Sequence, residues 1–133
     1  MDDRRRMPRK HIAVVNSSPD FLLLARDLFE EEGYHVTTSE FAPTVFTQIV
    51  MRQPDALLVD LAVGEPAGWN LLERLHVESA TTDIPVLVTS TSHQLLEQVQ
   101  DQEERYGPHR YSLVKPLDLD ALAAAIRDLI ARA

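Results

Sequence analysis

Three stretches of the chain are apolar almost without interruption, and each has about the length of a β-strand. They are Ile12–Val15, Ala56–Val59 and Pro85–Val88. Continuous rather than alternating hydrophobicity indicates strands that are buried on both faces of a sheet. Two more polar stretches, Tyr34–Ser39 and Arg110–Val114, are typical of edge strands of the same sheet. The pattern therefore predicts five strands, three of them central.

The segments between these strands, and the one after the last strand, have apolar side chains at the spacing of a helix. The first helix has the clearest boundaries, because Ser18 is a suitable N-cap, Pro19 suits the first helical position, and Gly33 suits the end. Asp118 is a similar cap for the last helix. Apolar side chains recur at helical spacing in five segments. We expect helices at residues 18–33, 43–50, 69–75, 94–105 and 118–130.

Strict alternation of strands and helices predicts an α/β fold with a parallel sheet and helices on both faces. Placing the two polar strands at the edges gives the strand order 2-1-3-4-5, which is the flavodoxin-like (βα)5 doubly wound parallel sheet. A chain of 133 residues has the length of one domain. We expect a disordered basic N-terminal segment over residues 1–10 and the domain over residues 11–133.

The composition excludes several classes of function. The formal net charge is −8, and residues 1–10 hold five of the 13 basic residues but only two of the 21 acidic ones. The remaining body is therefore strongly acidic, which disfavours contact with nucleic-acid phosphates. The absence of cysteine excludes disulfides and thiolate chemistry. Apolar runs are too short to span a bilayer. We expect a cytoplasmic protein that binds neither nucleic acid nor membrane.

Polar side chains follow the predicted strands where their carboxyl ends meet. Strand one ends in Asn16 and Ser17, strand three in Asp60, strand four in Ser90 and strand five in Lys115. In a doubly wound sheet this edge is where ligands bind. A carboxylate within an apolar run costs free energy unless a cation balances it. Asp60 and Lys115 are therefore the first candidates for a functional pair.

Four segments in this order resemble the receiver domains of two-component response regulators. The first is Pro54–Leu61, in which Asp60 stands at the phosphoacceptor position of that family. Gly68 matches a loop glycine, Ile84–Ser90 ends in the switch hydroxyl of Ser90, and Leu113–Leu117 contains the Lys-Pro pair. The resemblance extends over about residues 11–131.

The resemblance implies a role for each of these residues. Asp60 is expected to accept a phosphoryl group from the phosphohistidine of a partner kinase, Lys115 to pair with the phosphoryl oxygens, and Ser90 to donate a hydrogen bond to them. The Ala62 backbone carbonyl is expected to help Asp60 hold Mg²⁺. Such chemistry depends on positioning and charge neutralisation. The implied protein is a signalling or docking module without a substrate of its own, not an enzyme.

The resemblance also implies partners and a surface for them. We expect a histidine kinase or another signalling protein as partner. The expected contact surface is formed by the fourth helix, the fifth strand and the last helix, and a homodimer through that surface is a further expectation. The family also implies a cis bond between Lys115 and Pro116.

Two departures from the family concern the site itself. The family has a pair of acidic residues at the end of strand one, where this chain has Asn16 and Ser17. Since Mg²⁺ prefers carboxylate oxygens, we expect it to bind weakly or not at all, with Asn16 as a weak ligand. Ser112 stands where the family has its switch aromatic, and the adjacent Tyr111 points to the opposite face of a regular strand.

Two versions of this function stay open at the level of sequence. In one, the domain docks independently of phosphorylation, and in the other Asp60 is phosphorylated inefficiently. An alternative from another class is a small flavin- or nucleotide-binding protein with the same fold, because residues 16–18 precede a helix N-terminus that suits a phosphate. Two features count against that alternative. No tryptophan or tyrosine stands where it could stack on a flavin ring, and the negative charge of Asp60 would repel the phosphate.

Overall fold

The computed structural model of the protein describes residues 9–107, 110–114 and 118–132, with residues 110–114 described as backbone. Strands and helices alternate along it as the sequence predicts, with one additional short helix. In chain order the elements are β1 His11–Val15, α1 Pro19–Glu31, β2 His35–Ser39, α2 Val45–Arg52, β3 Ala56–Leu61, α3 Pro66–Val77, β4 Val86–Ser90, α4 His93–Asp101, α5 Glu103–Tyr106, β5 Arg110–Val114 and α6 Leu119–Arg132.

The five strands form one sheet in the order β2-β1-β3-β4-β5. Every neighbouring pair of strands is parallel. The α/β fold and the strand order predicted from the sequence are therefore confirmed. The prediction succeeded because the buried strands and the edge strands differ in polarity: all six residues of β3 are buried, whereas β2 has one buried residue in five.

Two apolar clusters lie on opposite faces of the sheet. One packs α2, α3, α4 and α5 against alternate strand residues, such as Leu57 and Val59 of β3. The other packs α1 and α6 against the residues between them, such as Ala56 and Leu58. Because side chains alternate along a strand, Asp60 lies on the same face of β3 as Ala56 and Leu58. The candidate phosphoacceptor is thus on the side of α1 and α6.

Local capping explains where the helix next to the candidate site begins and ends. The Ser18 hydroxyl accepts a hydrogen bond from the Phe21 N–H at 3.3 Å, and Pro19 occupies the first turn. Beyond the last turn, Gly33 has a φ of +95°, a conformation that glycine adopts without strain. The boundaries predicted for α1 from Ser18, Pro19 and Gly33 are confirmed.

The fourth helix differs from its prediction. The sequence predicts one helix over 94–105, but the structure has α4 and then the separate turn α5. Gln102 leaves the helical region with φ −112° and ψ 50°. This break lets the buried Tyr106 pack against Trp69 of α3, with the ring centroids 5.1 Å apart. A contact distant in sequence therefore overrides a helical pattern that continues without interruption.

Candidate functional site

The candidate site lies at the carboxyl ends of β1, β3 and β4. Asp60 is the fifth residue of β3, and its exposed fraction is 8%. The sheet pairs Asp60 with Thr89 of β4, and it pairs Val59 with Val15 of β1, so that Asn16 is level with Asp60 on the other side. These three polar residues form a row across the sheet, and alternation places them on the same face.

Within this row, Thr89 is the residue that contacts Asp60. The Thr89 hydroxyl donates a hydrogen bond of 2.8 Å to Asp60 Oδ1, and Thr89 is fully buried. A hydrogen bond to an ionised group is about twice as strong as one between neutral groups. Sequence reasoning missed Thr89. The available signal was the register of two buried parallel strands, which places Thr89 opposite Asp60.

Ser90, the predicted switch hydroxyl, is also fully buried but points elsewhere in this structure. Its hydroxyl accepts a hydrogen bond of 3.1 Å from the backbone N–H of Ser92, at the start of α4. Two adjacent hydroxyls therefore have different partners: the Thr89 hydroxyl bonds the Asp60 carboxylate, and the Ser90 hydroxyl bonds the loop that leads into α4.

Asn16 is almost fully buried, and its amide group is oriented by the start of α1. Its exposed fraction is 2%, and its Oδ1 accepts a hydrogen bond of 2.8 Å from the Ser18 N–H. The amide oxygen must face that donor, because the opposite orientation would set an NH₂ group against an N–H. The buried Nδ2 meets no hydrogen-bond partner among the described residues. Ser17, by contrast, is exposed.

Gly68 fixes the distance between α3 and β3, the strand that carries Asp60. A Cβ atom at this position would lie 2.7 Å from the backbone oxygen of Asp60 and 2.7 Å from Cδ2 of Leu61. Both distances are well inside van der Waals contact. The helix can therefore approach β3 this closely only because residue 68 lacks a side chain.

Several predicted site residues are placed only in part or not at all. Ala62 lies directly after β3, and its carbonyl accepts a hydrogen bond of 3.2 Å from the Glu65 N–H. Lys115 and the bond between Lys115 and Pro116 lie outside the described residues. The backbone of β5 is described, but the side chains of Tyr111 and Ser112 are not.

The residues expected to hold Mg²⁺ have hydrogen-bond partners in this structure. Asp60 Oδ1, Asn16 Oδ1 and the Ala62 carbonyl oxygen each accept one hydrogen bond. Asp60 supplies a carboxylate, and Asn16 turns its amide donor, rather than its oxygen, into the buried space. Mg²⁺ requires oxygens in a near-octahedral arrangement and is held by carboxylates. Within the described row of Asn16, Asp60 and Thr89, Asp60 is the carboxylate that such an ion could use. No cluster of three or more metal-binding side chains occurs within the described ranges.

A separate apolar pocket of about 310 Å³ lies between α2 and α3. Its lining includes Phe46 and Arg74, whose guanidinium carbon is 3.9 Å from the centroid of the Phe46 ring. Asp60 is not part of this lining. The pocket is therefore distinct from the polar row at the ends of the strands.

The five-stranded parallel sheet, with Asp60 near the carboxyl end of β3, has the architecture of a receiver-type signalling domain, and comparison with known proteins agrees. The sequence model of the family described as the response regulator receiver domain matches residues 12–127, and the chain belongs to that family. Receiver domains are signalling domains rather than classical enzymes, and they interact with histidine kinases and phosphotransfer partners. The comparisons give no support to a flavin-binding function.

This chain covers different shares of the length of its relatives. The chain is 29% identical over 126 residues to the DNA-binding dual master transcriptional regulator RpaA of Synechocystis sp., covering 95% of this chain and 50% of RpaA. It is 26% identical over 120 residues to protein PilH of Pseudomonas aeruginosa, covering 90% of this chain and 97% of PilH. This chain thus spans half of RpaA and nearly all of PilH.

A solved structure shows the same fold. The crystal structure of a sensor protein from Polaromonas sp. superposes with a TM-score of 0.80 at 24% identity, covering 94% of this chain and 98% of that chain. Within the part of the chain that the structure describes, no helix is both long enough and apolar enough to cross a membrane.

Proposed function

We propose that this receiver domain is a docking module whose partner contacts do not depend on efficient, Mg²⁺-dependent phosphorylation. Asn16 carries the proposal. Its position is that of an acidic metal ligand in the family, yet its Oδ1 is occupied by the Ser18 N–H at 2.8 Å. The atom it turns into the buried space is a hydrogen-bond donor. A cation requires acceptors, so this arrangement favours a site that does without the ion.

Charge supports the same proposal. Asp60 and Lys115 are expected to balance each other, and the two further negative charges of the family are replaced by Asn16 and Ser17. Each missing carboxylate removes an attraction to the dication of several kcal/mol, before desolvation is deducted. Mg²⁺ is therefore expected to bind weakly or not at all, with Asp60 and the Ala62 carbonyl as the principal ligands where it does.

The remaining residues keep the roles that the family implies. Asp60 is the phosphoacceptor, Lys115 and Ser90 contact the phosphoryl group, and a histidine kinase or another signalling protein is the partner. By the resemblance Asp60 and Gly68 stand at family positions, and Gly68 lets α3 approach the Asp60 carbonyl closely. For this reason a slow, inefficient phosphorylation at Asp60 is the second version of the function. In neither version does the domain turn over a substrate of its own.

The test is a comparison of the natural chain with the double variant Asn16→Asp plus Ser17→Asp. We expect no Mg²⁺ binding by the natural chain at millimolar concentrations, and binding by the double variant, because each new carboxylate attracts the dication. Trp69, the only tryptophan, lies next to Gly68 on α3 and gives a fluorescence signal for metal binding. Intact mass after incubation with acetyl phosphate measures phosphorylation directly.

The controls separate the charge of the site from its geometry. Asp60→Asn in the double variant should abolish any adduct, which locates the phosphoryl group. Tight Mg²⁺ binding by the natural chain, or rapid labelling of it, would contradict the proposal. Failure of the double variant to bind Mg²⁺ would show that the backbone around Asn16, and not only the missing charge, excludes the metal.

A further inference from the structure

The hydrogen bond between Thr89 and Asp60 has the geometry of a positioning contact. Thr89 lies opposite Asp60 in the pairing of β3 and β4, has no exposed surface, and its Oγ1 is 2.8 Å from Asp60 Oδ1. An ionised carboxylate only accepts hydrogen bonds, so the hydroxyl is the donor. Threonine is stiff at χ1 because its Cβ is branched. The donor is therefore held in one place relative to the carboxylate.

We propose that Thr89 is a positioning residue for Asp60, and that its hydroxyl takes the place at Oδ1 that a bound cation would otherwise occupy. The inference rests on the proposed function, in which the site holds Mg²⁺ weakly or not at all. Thr89 directs Oδ1 towards β4 through this hydrogen bond. The same contact makes one lone pair of Oδ1 unavailable to a metal.

The opposite side of the row supports this assignment. Asn16 of the β1 end is level with Asp60, is 2% exposed, and presents the unpartnered donor Nδ2 within the described part of the chain. The residues on both sides of Asp60 thus carry hydrogen-bond donors, whereas a metal site requires acceptors. Residues with hydrogen-bond donors therefore flank Asp60, and one of these donors, the Thr89 hydroxyl, bonds its carboxylate.

Ser90 provides a matched control within the same strand. Its hydroxyl is as buried as that of Thr89, but it bonds the Ser92 N–H and not Asp60. Loss of the Ser90 hydroxyl removes a buried hydrogen bond from the same end of β4 and leaves the Thr89 contact in place. Loss of the Thr89 hydroxyl should therefore have an effect that depends on Asp60, and loss of the Ser90 hydroxyl should not. That difference reports the contact between Thr89 and the Asp60 carboxylate.

The experiment is a double-mutant cycle of Thr89→Val and Asp60→Ala, measured by urea unfolding in the presence of a chelator. Valine keeps the shape of threonine and removes the hydroxyl. We expect Thr89→Val to raise the unfolding equilibrium constant about tenfold when Asp60 is present and less than about threefold when it is not. Thr89→Ser should restore most of the loss, and Ser90→Ala should have the same effect in both backgrounds. Equal effects of Thr89→Val in the two backgrounds would overturn the proposal.

Two further measurements do not require the Asp60→Ala variant to fold. The Hα–Hβ couplings of Asp60 in NMR spectra should indicate a single rotamer in the natural chain and in Thr89→Ser, and averaging in Thr89→Val. In the Asn16→Asp plus Ser17→Asp background, Thr89→Val should tighten Mg²⁺ binding several-fold, because Oδ1 is released. A threonine with only a packing role would change neither quantity, and that result would refute the proposal.

These outcomes are separable from those of the proposed function. The unfolding cycle and the couplings are measured without metal, so they test Thr89 whatever the affinity of the natural chain for Mg²⁺. Tight Mg²⁺ binding by the natural chain together with a positive cycle would overturn the proposed function alone. Weak binding with a negative cycle would overturn the role of Thr89 alone.

Discussion

At the scale of single residues, the character of the site depends on which atoms of a few side chains face Asp60. Asn16 differs from an aspartate only by an NH₂ group in place of an oxygen, yet the exchange puts a buried donor where a cation would need an acceptor. Thr89 adds a donor to Oδ1 of Asp60. Since hydrogen bonds to charged groups contribute more than neutral ones, the contact between Thr89 and Asp60 is a strong one for this site.

The sequence predicted the identity of these residues better than their contacts. Asn16, Asp60 and Ser90 were found because they follow apolar strands, and the structure places them together with Thr89 at one end of the sheet. Thr89 was missed because threonine is common in strands, and only the register shows which side chain it faces. The orientation of the Asn16 amide depends on the N–H of Ser18, which no pattern in the sequence reveals.

A second residue-scale contact predicts a dependence of stability on pH. A hydrogen bond of 2.8 Å joins Nε2 of His11, on β1, to the Thr37 hydroxyl. The centroid of the His11 ring lies 4.7 Å from that of the His35 ring. Burial lowers the pKa of His11 below its usual value of 6.5, and the charges of His35 and Arg52 lower it further, against an opposing effect of Asp55. The folded protein therefore favours neutral His11.

The sign of the pH effect follows from linkage. Above pH 6.5 His11 is neutral in both states, and its contribution to the free energy of unfolding is fully present. As the pH falls below 6.5, the unfolded chain takes up the proton first, so stability decreases until the pH passes the lower pKa of the folded state. Urea midpoints measured across this range should fall less steeply for His11→Gln, which keeps a hydrogen-bonding group. An unchanged slope in that variant would contradict the assignment.

At the scale of elements, the contact between α3 and β3 determines how the strand that carries Asp60 is supported. Gly68→Ala should destabilise the protein by about 1–3 kcal/mol, because the new Cβ overlaps the Asp60 carbonyl at 2.7 Å. This loss should outweigh the gain of about 1 kcal/mol that alanine brings to a helix interior. Urea unfolding measures the difference.

Asn70, exposed on the same helix, offers the matched control. Asn70→Ala changes the helix propensity without bringing an atom towards β3, and it should leave stability equal or slightly higher. A Gly68→Ala variant as stable as Asn70→Ala would mean that α3 moves away from β3 without cost. The close approach would then have no role in fixing Asp60.

The elements themselves were largely predictable, and the exception has a physical reason. The three central strands are mostly apolar, the edge strands are mixed, and capping residues such as Ser18 mark a helix boundary in the sequence. The break between α4 and α5 was not predictable, because Glu103–Tyr106 continues a helical composition. It is explained by the packing of Tyr106 on Trp69, 37 positions earlier in the chain.

At the scale of the whole molecule, the function of a docking domain depends on which surface a partner meets. The resemblance implies the surface of α4, β5 and α6, and Leu119 at the start of α6 is 40% exposed there. Exposed apolar side chains favour association when they are grouped on one face. The formal net charge of −8 opposes self-association over the rest of the surface. Because the resemblance points to this face, we expect contacts between copies of the chain to lie there and to include Leu119.

The corresponding variant is Leu119→Glu, which removes an apolar side chain and adds a charge. A carboxylate in the first turn of a helix is favourable to the helix dipole, so loss of association would not reflect loss of α6. Met51→Glu on α2, where the natural side chain is 80% exposed, is the matched control.

The measurement is a series of NMR spectra recorded at increasing protein concentration. We expect chemical-shift changes confined to α4, β5 and α6, reduced several-fold by Leu119→Glu and unaffected by Met51→Glu. Shifts that instead follow α1 or α2, or that respond equally to both variants, would place the docking surface on another face of the domain.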